Sequence, residues 1–275
     1  MENTVKQLLA QEGLSLCAPI LLSECRVLRP HLLKRTEITD GTVFLLAAPY
    51  YTTKCEDPAS KISKYAVSAD YHIFFAALFE RILPVLREKF PQNRFAGFAD
   101  HSPIAEVEAA VRAGLGVLGK NGLLLCREYS SYVFLGEIVT DAILPLPPAL
   151  PLRECENCGA CRRACPVNGD MERCLSALTQ KKGELTEAEQ DTLRKHGCAW
   201  GCDRCQDVCP YTVRAKATGT IYSPLPFFTQ TALPRPDAAT VAAMSDSAFA
   251  DRAYAWRGRG PILRNLTLLE EGEHK

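Results

Sequence analysis

Runs of apolar residues along the chain predict four buried β-strands. TVFLLAAPYY (42–51) is continuously apolar, which is typical of a strand covered on both faces. FAGFAD (95–100) predicts a second strand, which ends on Asp100. GLLLC (122–126) and YVFLGEIVTD (132–141) predict two further strands that pair with each other.

Helical patterns lie between these strands. Residues 1–25 predict an N-terminal helix and its turn, and residues 61–90 predict a long amphipathic helix that Pro84 kinks. SPIAEVEAAVRAG (102–114) predicts another helix, because a serine starts it, a proline lies in its first turn and a glycine closes it. The apolar face of the long helix is expected to consist of Tyr71, Phe74, Phe75, Leu78, Ile82, Leu83 and Leu86. Strands that alternate with helices indicate an α/β layer.

The proline-rich connector PLPPALP (145–151) indicates a domain boundary. We expect an α/β domain over residues 1–145, a cysteine-rich module over 146–218, and an extension over 219–275 that packs back on the core. A chain of 275 residues with 47% apolar content can bury cores of this size.

The formal net charge is zero, so the protein as a whole has no electrostatic attraction to nucleic acid. Cations nevertheless concentrate in the second half of the chain. They form either an ordinary solvated surface or a phosphate-binding face. The cationic residues in question are Arg153, Arg162, Arg163, Lys181, Lys182, Arg194, Lys195, Arg204, Arg214, Lys216, Arg252, Arg257, Arg259 and Arg264.

The N-terminal residues MENTVKQLLAQEGLSL lack the basic segment and apolar core of a signal peptide. No apolar run approaches the roughly 18 residues of a spanning helix. We therefore expect a cytoplasmic protein with no membrane partner, in which thiols stay reduced.

Two cysteine runs carry the strongest chemical signal. The first is Cys-x₂-Cys-x₂-Cys-x₃-Cys-Pro over residues 155–166, and the second is Cys-x₂-Cys-x₃-Cys-Pro over 202–210. Such spacing, with a proline after the last cysteine, is typical of proteins that hold two [4Fe–4S] clusters. Zinc sites usually close with four ligands and lack the Cys-Pro ending, and a disulfide framework needs an oxidising compartment. The sequence therefore predicts electron transfer.

In two-cluster ferredoxins the last cysteine of each run binds the other cluster. This rule assigns Cys155, Cys158, Cys161 and Cys209 to the first cluster. Cys165, Cys202 and Cys205 belong to the second, and spacing leaves its fourth ligand open between Cys174 and Cys198. The remaining cysteines, Cys17, Cys25, Cys55 and Cys126, are most simply small buried residues.

Two features before the connector are candidates for further chemistry. Asp100 follows a strand, where it serves either as an acid facing a ligand or as the cap of the 102–114 helix. The glycine-rich segment GLGVLGKNGLL (114–124) permits close approach of a ligand to the backbone, and Lys120 can contact an anion. It matches neither the Walker A pattern nor a dinucleotide fingerprint.

Several motifs together resemble the epoxyqueuosine reductase family, whose members act in queuosine synthesis in tRNA. The matching segments are SKYAVSADYH (63–72), FADHSPIAE (98–106), RAGLGVLGKNGLLL (112–125), FLGEIVTD (134–141), the first cysteine run, RCLSALT (173–179), GCDRCQDVCPY (201–211) and LRNL (263–266). The resemblance runs from about residue 40 to 266 in the family's order.

The resemblance implies an α/β (α+β) domain that binds cobalamin, like the reductive dehalogenase and epoxyqueuosine reductase core, followed by a double [4Fe–4S] ferredoxin-like module. It places Asp100 on the family's catalytic aspartate, a proton donor, and it places Cys174, not Cys198, on a ligand of the second cluster. The cobalamin contacts it implies are Tyr65, Asp70, Tyr71, His72, Gly119, Lys120, Asn121 and Ser176. His72 is expected to pack near the cofactor rather than ligate cobalt, because no Asp-x-His-x-x-Gly motif is present.

The implied reaction reduces the epoxide of epoxyqueuosine in tRNA, with electrons from an external low-potential donor. Family members usually continue past LRNL into a helical-repeat region, so we expect a short form without it. Val107 replaces a common arginine, and the Cys165–Cys174 connection is short. Alternatives are a corrinoid reductase with another substrate, a ferredoxin-like electron carrier, and an RNA-binding module with structural clusters.

Overall fold

The computed structural model describes residues 1–273. They form two compact units, each made of separate stretches of chain. The first contains residues 1–50, 72–158 and 215–225, and the second contains 51–71, 159–214 and 226 onward. The three predicted domains stay a prediction, because units defined by chain contacts need not coincide with cofactor-binding domains.

The first unit is a mixed α/β structure. It contains α1 (Glu2–Gln11), β1 (Cys17–Leu21), α2 (Pro30–Arg35), β2 (Thr42–Pro49), α3 (Tyr71–Lys89), β3 (Phe95–Phe98), α4 (Glu106–Arg112), β4 (Val117–Leu118), β5 (Leu124–Leu125) and β6 (Val133–Thr140). Within the described residues, β1, β2, β6 and β3 form, in that order, one antiparallel sheet. The prediction of a mixed α/β fold is confirmed.

The strand β2 is buried along its whole length, as its continuous apolar run predicts. Residues on one face of the sheet, among them Val43, Leu45 and Val139, form a core with Ala109 and Ala110 of α4. In this register Glu137 of β6 lies between Leu45 of β2 and Phe98 of β3. An acidic side chain therefore occupies the middle of the sheet.

The helix α3 contacts the sheet closely at two glycines. A Cβ atom at Gly136 would lie 2.6 Å from a ring carbon of Phe75, and one at Gly97 would lie 2.5 Å from Phe79. Real Cβ atoms do not approach other atoms that closely, so any larger residue would push the helix away. The helix begins at Tyr71 rather than at residue 61, and Pro84 lies inside it.

Two local predictions were wrong. The segment 122–126 does not pair with 132–141, because β5 pairs with β4 in a separate hairpin, and β6 pairs with β2 and β3. The helix predicted from Ser102 begins at Glu106 with Ala105 at its N-cap. The side chain of Ser102 does not cap the helix and instead donates a hydrogen bond to the buried carboxyl group of Glu137.

The second unit is largely helical. It contains α5 (Ala160–Ala164), α6 (Leu175–Thr179), α7 (Glu187–His196), α8 (Arg204–Asp207), most of α9 (Pro210–Ala217), α10 (Pro226–Gln230), α11 (Ala238–Ala243), α12 (Asp246–Ala250) and α13 (Arg259–Glu273). Leu175, Leu185, Leu193 and Leu268 form a small core. Asn265, fully buried, donates to the backbone oxygens of Thr179 at 2.7 Å and Ala199 at 2.8 Å.

Within residues 1–273, no helix has the length and apolar character needed to cross a membrane.

Candidate active site and cluster-binding segments

Asp100 lies in a tight turn directly after β3. Its backbone is left-handed, with φ of 61°, and its own carbonyl accepts a hydrogen bond from the Ser102 N–H at 2.8 Å. A left-handed conformation is costly for a residue with a Cβ and is retained where the surrounding structure enforces it. Because α4 begins at Glu106 with Ala105 at its N-cap, Asp100 does not cap that helix. The turn thus presents the carboxyl group rather than using it structurally.

The Asp100 side chain is 69% exposed and faces His72 in the first turn of α3. The distance from His72 Nε2 to Asp100 Oδ2 is 3.7 Å. Two residues of the predicted site, 28 positions apart in sequence, therefore lie together. The carboxylate is open to a ligand on one side and has an imidazole on the other.

A cavity of about 520 Å³ lies beside this turn. Asp100 and Glu106 line it together with Arg26 and Arg29. Arg26 forms an ion pair of 2.8 Å with Glu108, and Arg29 donates to the backbone oxygen of Ser102 at 2.9 Å. Two arginines are thus held at the mouth of the cavity beside Asp100.

The glycine-rich segment has a different role from that of an isolated anion-binding loop. Lys120 forms an ion pair of 2.6 Å with Glu154, the residue before Cys155. The backbone N–H of Cys155 donates to the Leu118 carbonyl at 2.9 Å. The backbone N–H of Leu118 in turn donates to the Arg153 carbonyl at 2.8 Å. The β4–β5 hairpin therefore fixes the position of the first cysteine in the 155–165 run. A Cβ at Gly119 would collide with the Asn121 side chain and lie 3.1 Å from the Leu123 carbonyl oxygen, so a larger residue there would have to displace the asparagine.

The predicted site residues fall in both units. Those in the first unit are His72, Asp100, Gly119, Lys120, Asn121, Cys155 and Cys158. Those in the second unit are Tyr65, Asp70, Tyr71, Ser176, Cys161, Cys165, Cys174, Cys202, Cys205 and Cys209. Their assignment to cofactors stays a prediction.

Short helices position the cysteines of the second unit. Cys161 lies on α5 and Cys165 follows it, Cys174 is the N-cap of α6, and Cys205 lies on α8. Burial raises the pKa of Cys202, and the neighbouring Asp203 raises it further. In residues 1–273, no three His, Cys, Asp or Glu side chains converge on a single metal-ion position.

Cys198 is held as a thiol. Its Sγ donates to the carbonyl oxygens of Gly201 at 2.9 Å and Trp200 at 3.5 Å, and burial raises its pKa to about 12. Burial also raises the pKa of Cys17, Cys25 and Cys126 to about 12. The Cys198 thiol is therefore already engaged by two backbone carbonyls.

The segment 63–65 is bound tightly to the second cysteine run. Asp203, between Cys202 and Cys205, accepts hydrogen bonds from Ser63 Oγ at 2.6 Å and from Lys64 N at 2.7 Å. Tyr65 Oη accepts a hydrogen bond of 2.8 Å from Trp200 Nε1. The aspartate was not singled out from the sequence, although a charged residue inside a Cys-x₂-Cys turn was a usable signal.

We predict that Asp203→Ala lowers the free energy of unfolding by about 3–5 kcal/mol. The reason is that the donors Ser63 Oγ and Lys64 N would lose their buried carboxylate acceptor. Asp203 is 8% exposed, and Lys64 Nζ lies 3.6 Å from it. Asp207→Ala is the control, because Asp207 also pairs with Lys64 but is 39% exposed, and it should cost about 1 kcal/mol or less. Urea denaturation of the apoprotein measures both; equal losses would contradict the prediction.

Cations of the second unit line a cleft of about 810 Å³. The cleft also contains the predicted cluster ligand Cys174, and Lys181 is paired there with Glu189 at 2.7 Å. Its cationic side chains are Arg173, Lys181, Lys182, Lys195 and Arg257. His196 also lines the cleft, and burial lowers its pKa. Several cations that the sequence suggested as a phosphate-binding face therefore share one surface.

Known proteins resemble this chain over most of its length. Epoxyqueuosine reductase of Listeria monocytogenes is 32% identical over 247 residues, which is 83% of this chain and 63% of the relative. That of Lactococcus garvieae is 30% identical over 244 residues, which is 84% of this chain and 67% of the relative. The chain thus spans about two thirds of these relatives' length. No family model matches it.

Solved structures show the same fold. Epoxyqueuosine reductase from Streptococcus thermophilus superimposes with a TM-score of 0.77 at 22% identity, covering 100% of this chain and 82% of that one. A crystal structure of epoxyqueuosine reductase with an epoxyqueuosine-modified tRNA-Tyr stem loop gives a TM-score of 0.73 at 22% identity, over 98% of this chain and 81% of that one. By its sequence relatives, the chain belongs to the epoxyqueuosine reductase family.

Proposed function

We propose that this protein is a cobalamin-dependent reductase that converts the epoxide of epoxyqueuosine in tRNA to the alkene of queuosine. The observation that carries the proposal is the exposed Asp100 carboxyl group, held in a left-handed turn beside His72, in a chain of this family. The reaction consumes two electrons and two protons and releases the epoxide oxygen as water. An acid is needed where that oxygen leaves.

The donor set of free cysteines fits iron–sulfur clusters, which bind thiolate sulfur. Cys155 is fixed by the β4–β5 hairpin, and Cys174 is the N-cap of α6. The cluster-one ligands in the proposal are Cys155, Cys158, Cys161 and Cys209, and the cluster-two ligands are Cys165, Cys174, Cys202 and Cys205. Clusters held by these residues would take single electrons from a low-potential donor.

The exposed polar side chains of His72 and Lys120, both in the first unit, fit a role as cobalamin contacts. Cobalamin, when bound, would supply the reducing power for breaking the carbon–oxygen bond. The remaining proposed contacts are Tyr65, Asp70, Tyr71, Gly119, Asn121 and Ser176. Among these, Tyr65 is engaged with Trp200, and Ser176 Oγ accepts from Gln180 at 3.1 Å. The side chains of these two residues therefore already have hydrogen-bond partners within the second unit.

In this proposal Asp100 transfers its proton to the oxygen as the carbon–oxygen bond breaks. The exposed carboxyl group can reach a substrate atom directly, and His72, 3.7 Å away, orients it. Water is then formed by a second proton transfer. An acid in this position acts on the leaving group, where the developing negative charge is largest.

The substrate class rests on two observations. A solved relative binds a tRNA stem loop that carries epoxyqueuosine. In this chain, Lys181, Lys182, Lys195 and Arg257 line one cleft, where the phosphates of an RNA could pair with them.

The direct test is anaerobic incubation of the protein, after cluster reconstitution, with epoxyqueuosine-containing tRNA, cobalamin and a reductant. Nucleoside analysis of the digested tRNA should show queuosine, and omission of cobalamin should abolish it. Full cofactor loading without queuosine would reject the tRNA substrate and favour a corrinoid reductase of another compound. Failure to bind cobalamin would reject the reductase and favour an electron carrier.

A further inference from the structure

An exposed tryptophan lies on a short, well-anchored turn of the second unit. Trp256 is 58% exposed and lies on a 3₁₀ turn that spans Ala255–Arg257. Its neighbour Tyr254 is fully buried and packs edge-on against the buried ring of Trp200, with 6.1 Å between the ring centroids. Because Tyr254 anchors the turn in the core, the Trp256 ring is presented at the surface from a fixed segment of backbone.

Arg257 stacks on this tryptophan, whereas the other arginines of the C-terminal stretch bind backbone carbonyls. The guanidinium carbon of Arg257 lies 3.9 Å from the centroid of the Trp256 ring, and its buried Nε has no hydrogen-bond partner among residues 1–273. The arginines that donate to backbone carbonyls within the second unit are Arg252, Arg259 and Arg264. The guanidinium covers one face of the indole by a cation–π contact, and because the residue is still largely exposed, the opposite face is open.

Arg257 also lines the cationic cleft of the second unit. The five Lys and Arg side chains of this cleft outnumber its two acidic residues, Glu172 and Glu189, so the cleft attracts anions. Single-stranded nucleic acid is bound by cations that contact its phosphates, together with aromatic rings on which its bases stack. An acidic protein would match the cations equally well, but an indole backed by a guanidinium is best matched by a planar nucleobase. The cleft and the Trp256 ring beside it therefore supply both kinds of contact to an RNA.

We propose that the open face of Trp256 stacks an unpaired base of the substrate RNA, while Lys182, Lys195 and Arg257 bind the phosphates beside that base. This proposal rests on the proposed tRNA substrate. The bases of a loop are free to stack on an aromatic ring, whereas the bases of a duplex are already stacked on each other. The cations thus hold any RNA, and Trp256 makes the surface selective for a single-stranded loop.

The first test compares looped with paired RNA and needs no turnover. Binding of the reconstituted protein to an unmodified, fluorescein-labelled tRNA stem loop is measured by fluorescence anisotropy. Trp256→Leu should weaken this binding roughly fivefold to hundredfold, the usual effect of removing one base-stacking ring, and leave the affinity for a fully paired RNA duplex unchanged. Trp256→Phe keeps an aromatic face and should restore most of the affinity for the loop. Unchanged loop affinity in Trp256→Leu, or an equal loss for both RNAs, would overturn the stacking.

The second test separates the phosphate contacts from the stacked base by their dependence on salt. Lys195→Ala should reduce the slope of log affinity against log salt concentration by about one, the effect of losing one phosphate contact. Arg194→Ala is the matched control, because Arg194 lies on the same helix α7 but is paired with Asp191 and does not line the cleft. Trp256→Leu should weaken stem-loop binding by the same factor at every salt concentration, since the indole is neutral. Equal slopes in Lys195→Ala and Arg194→Ala would overturn the phosphate contacts.

Turnover separates this proposal from the proposed function. Trp256→Leu should raise the KM for tRNA by the factor seen in binding and leave kcat unchanged, because the stacked base is held equally in the ground state and the transition state. Queuosine formation with an unchanged KM would overturn the stacking while the proposed function stands. Trp256-dependent loop binding without queuosine from any variant would support the stacking and reject the reaction. Unchanged RNA binding with slower reduction by a donor protein would assign the surface to that donor and overturn the proposal.

Discussion

Asp100→Asn should lower the rate of queuosine formation by about 10²–10⁴-fold, the usual contribution of a general acid. Asparagine is nearly isosteric and tolerates left-handed backbone, so the turn after β3 should keep its φ of about 61°. The asparagine side chain cannot release a proton to the departing oxygen. The measurement is single-turnover conversion of epoxyqueuosine-containing tRNA, which reports the chemical step rather than tRNA release.

Iron content and cobalamin binding are the controls for Asp100→Asn, and both should match the wild type. Because the Asp100 side chain is 69% exposed, its replacement removes no buried contact. Near-normal turnover with full cofactor loading would refute the proton-donor role. A loss that accompanies loss of cobalamin would instead show that Asp100 binds the cofactor.

Cys174→Ser should remove about half of the iron from the reconstituted protein, while Cys198→Ser should remove none. The two cysteines are a matched pair, because both lie in the second unit and both are free and half-buried. They differ in their hydrogen bonds: Cys198 donates to two carbonyls as a thiol, whereas Cys174 caps α6. A serine at 198 can keep the same donor.

Iron and acid-labile sulfide analysis, with electron paramagnetic resonance of the reduced protein, measures this difference. The Cys174→Ser variant should retain the signal of one cluster and lose the magnetic interaction between two. Iron loss in Cys198→Ser with full iron in Cys174→Ser would reverse the ligand assignment. Loss in both would show that the segment around Cys202 cannot tolerate either change.

The sequence predicted the buried strand β2 and the mixed α/β layer because continuous apolar runs and helical spacing are local signals. It did not predict the partner of β5, since pairing is decided by which strands meet in three dimensions. The helix start at Ser102 was misplaced for a related reason. Serine is a common N-cap residue, but the Ser102 hydroxyl donates its hydrogen bond to the carboxyl group of Glu137, 35 residues away.

Some of the functional residues could likewise be identified from local sequence signals, and others could not. Asp100 could be picked out because it ends a strand, and the cysteines because their spacing is specific. Glu137 was missed, yet the alternation in VFLGEIVT places it on the same face as Leu135 and Val139. An acidic residue in an apolar alternation is a readable signal of a buried carboxyl group. The position of Asp203 inside a Cys-x₂-Cys turn was a similar signal, but its partners required the structure, because they lie 139 and 140 residues earlier.

That long separation bears on how the protein is made. The loop between Cys202 and Cys205 is bonded to Ser63 and Lys64, which leave the ribosome long before it. Loops that must close over such distances form late in folding. Within the same unit, Asn265 joins the backbone at Thr179 and Ala199, so residues near 265 are also needed. The cysteine framework of this unit is therefore completed only after the chain has been synthesised to about residue 265, well after the cysteines themselves, and iron should reach it no earlier than that.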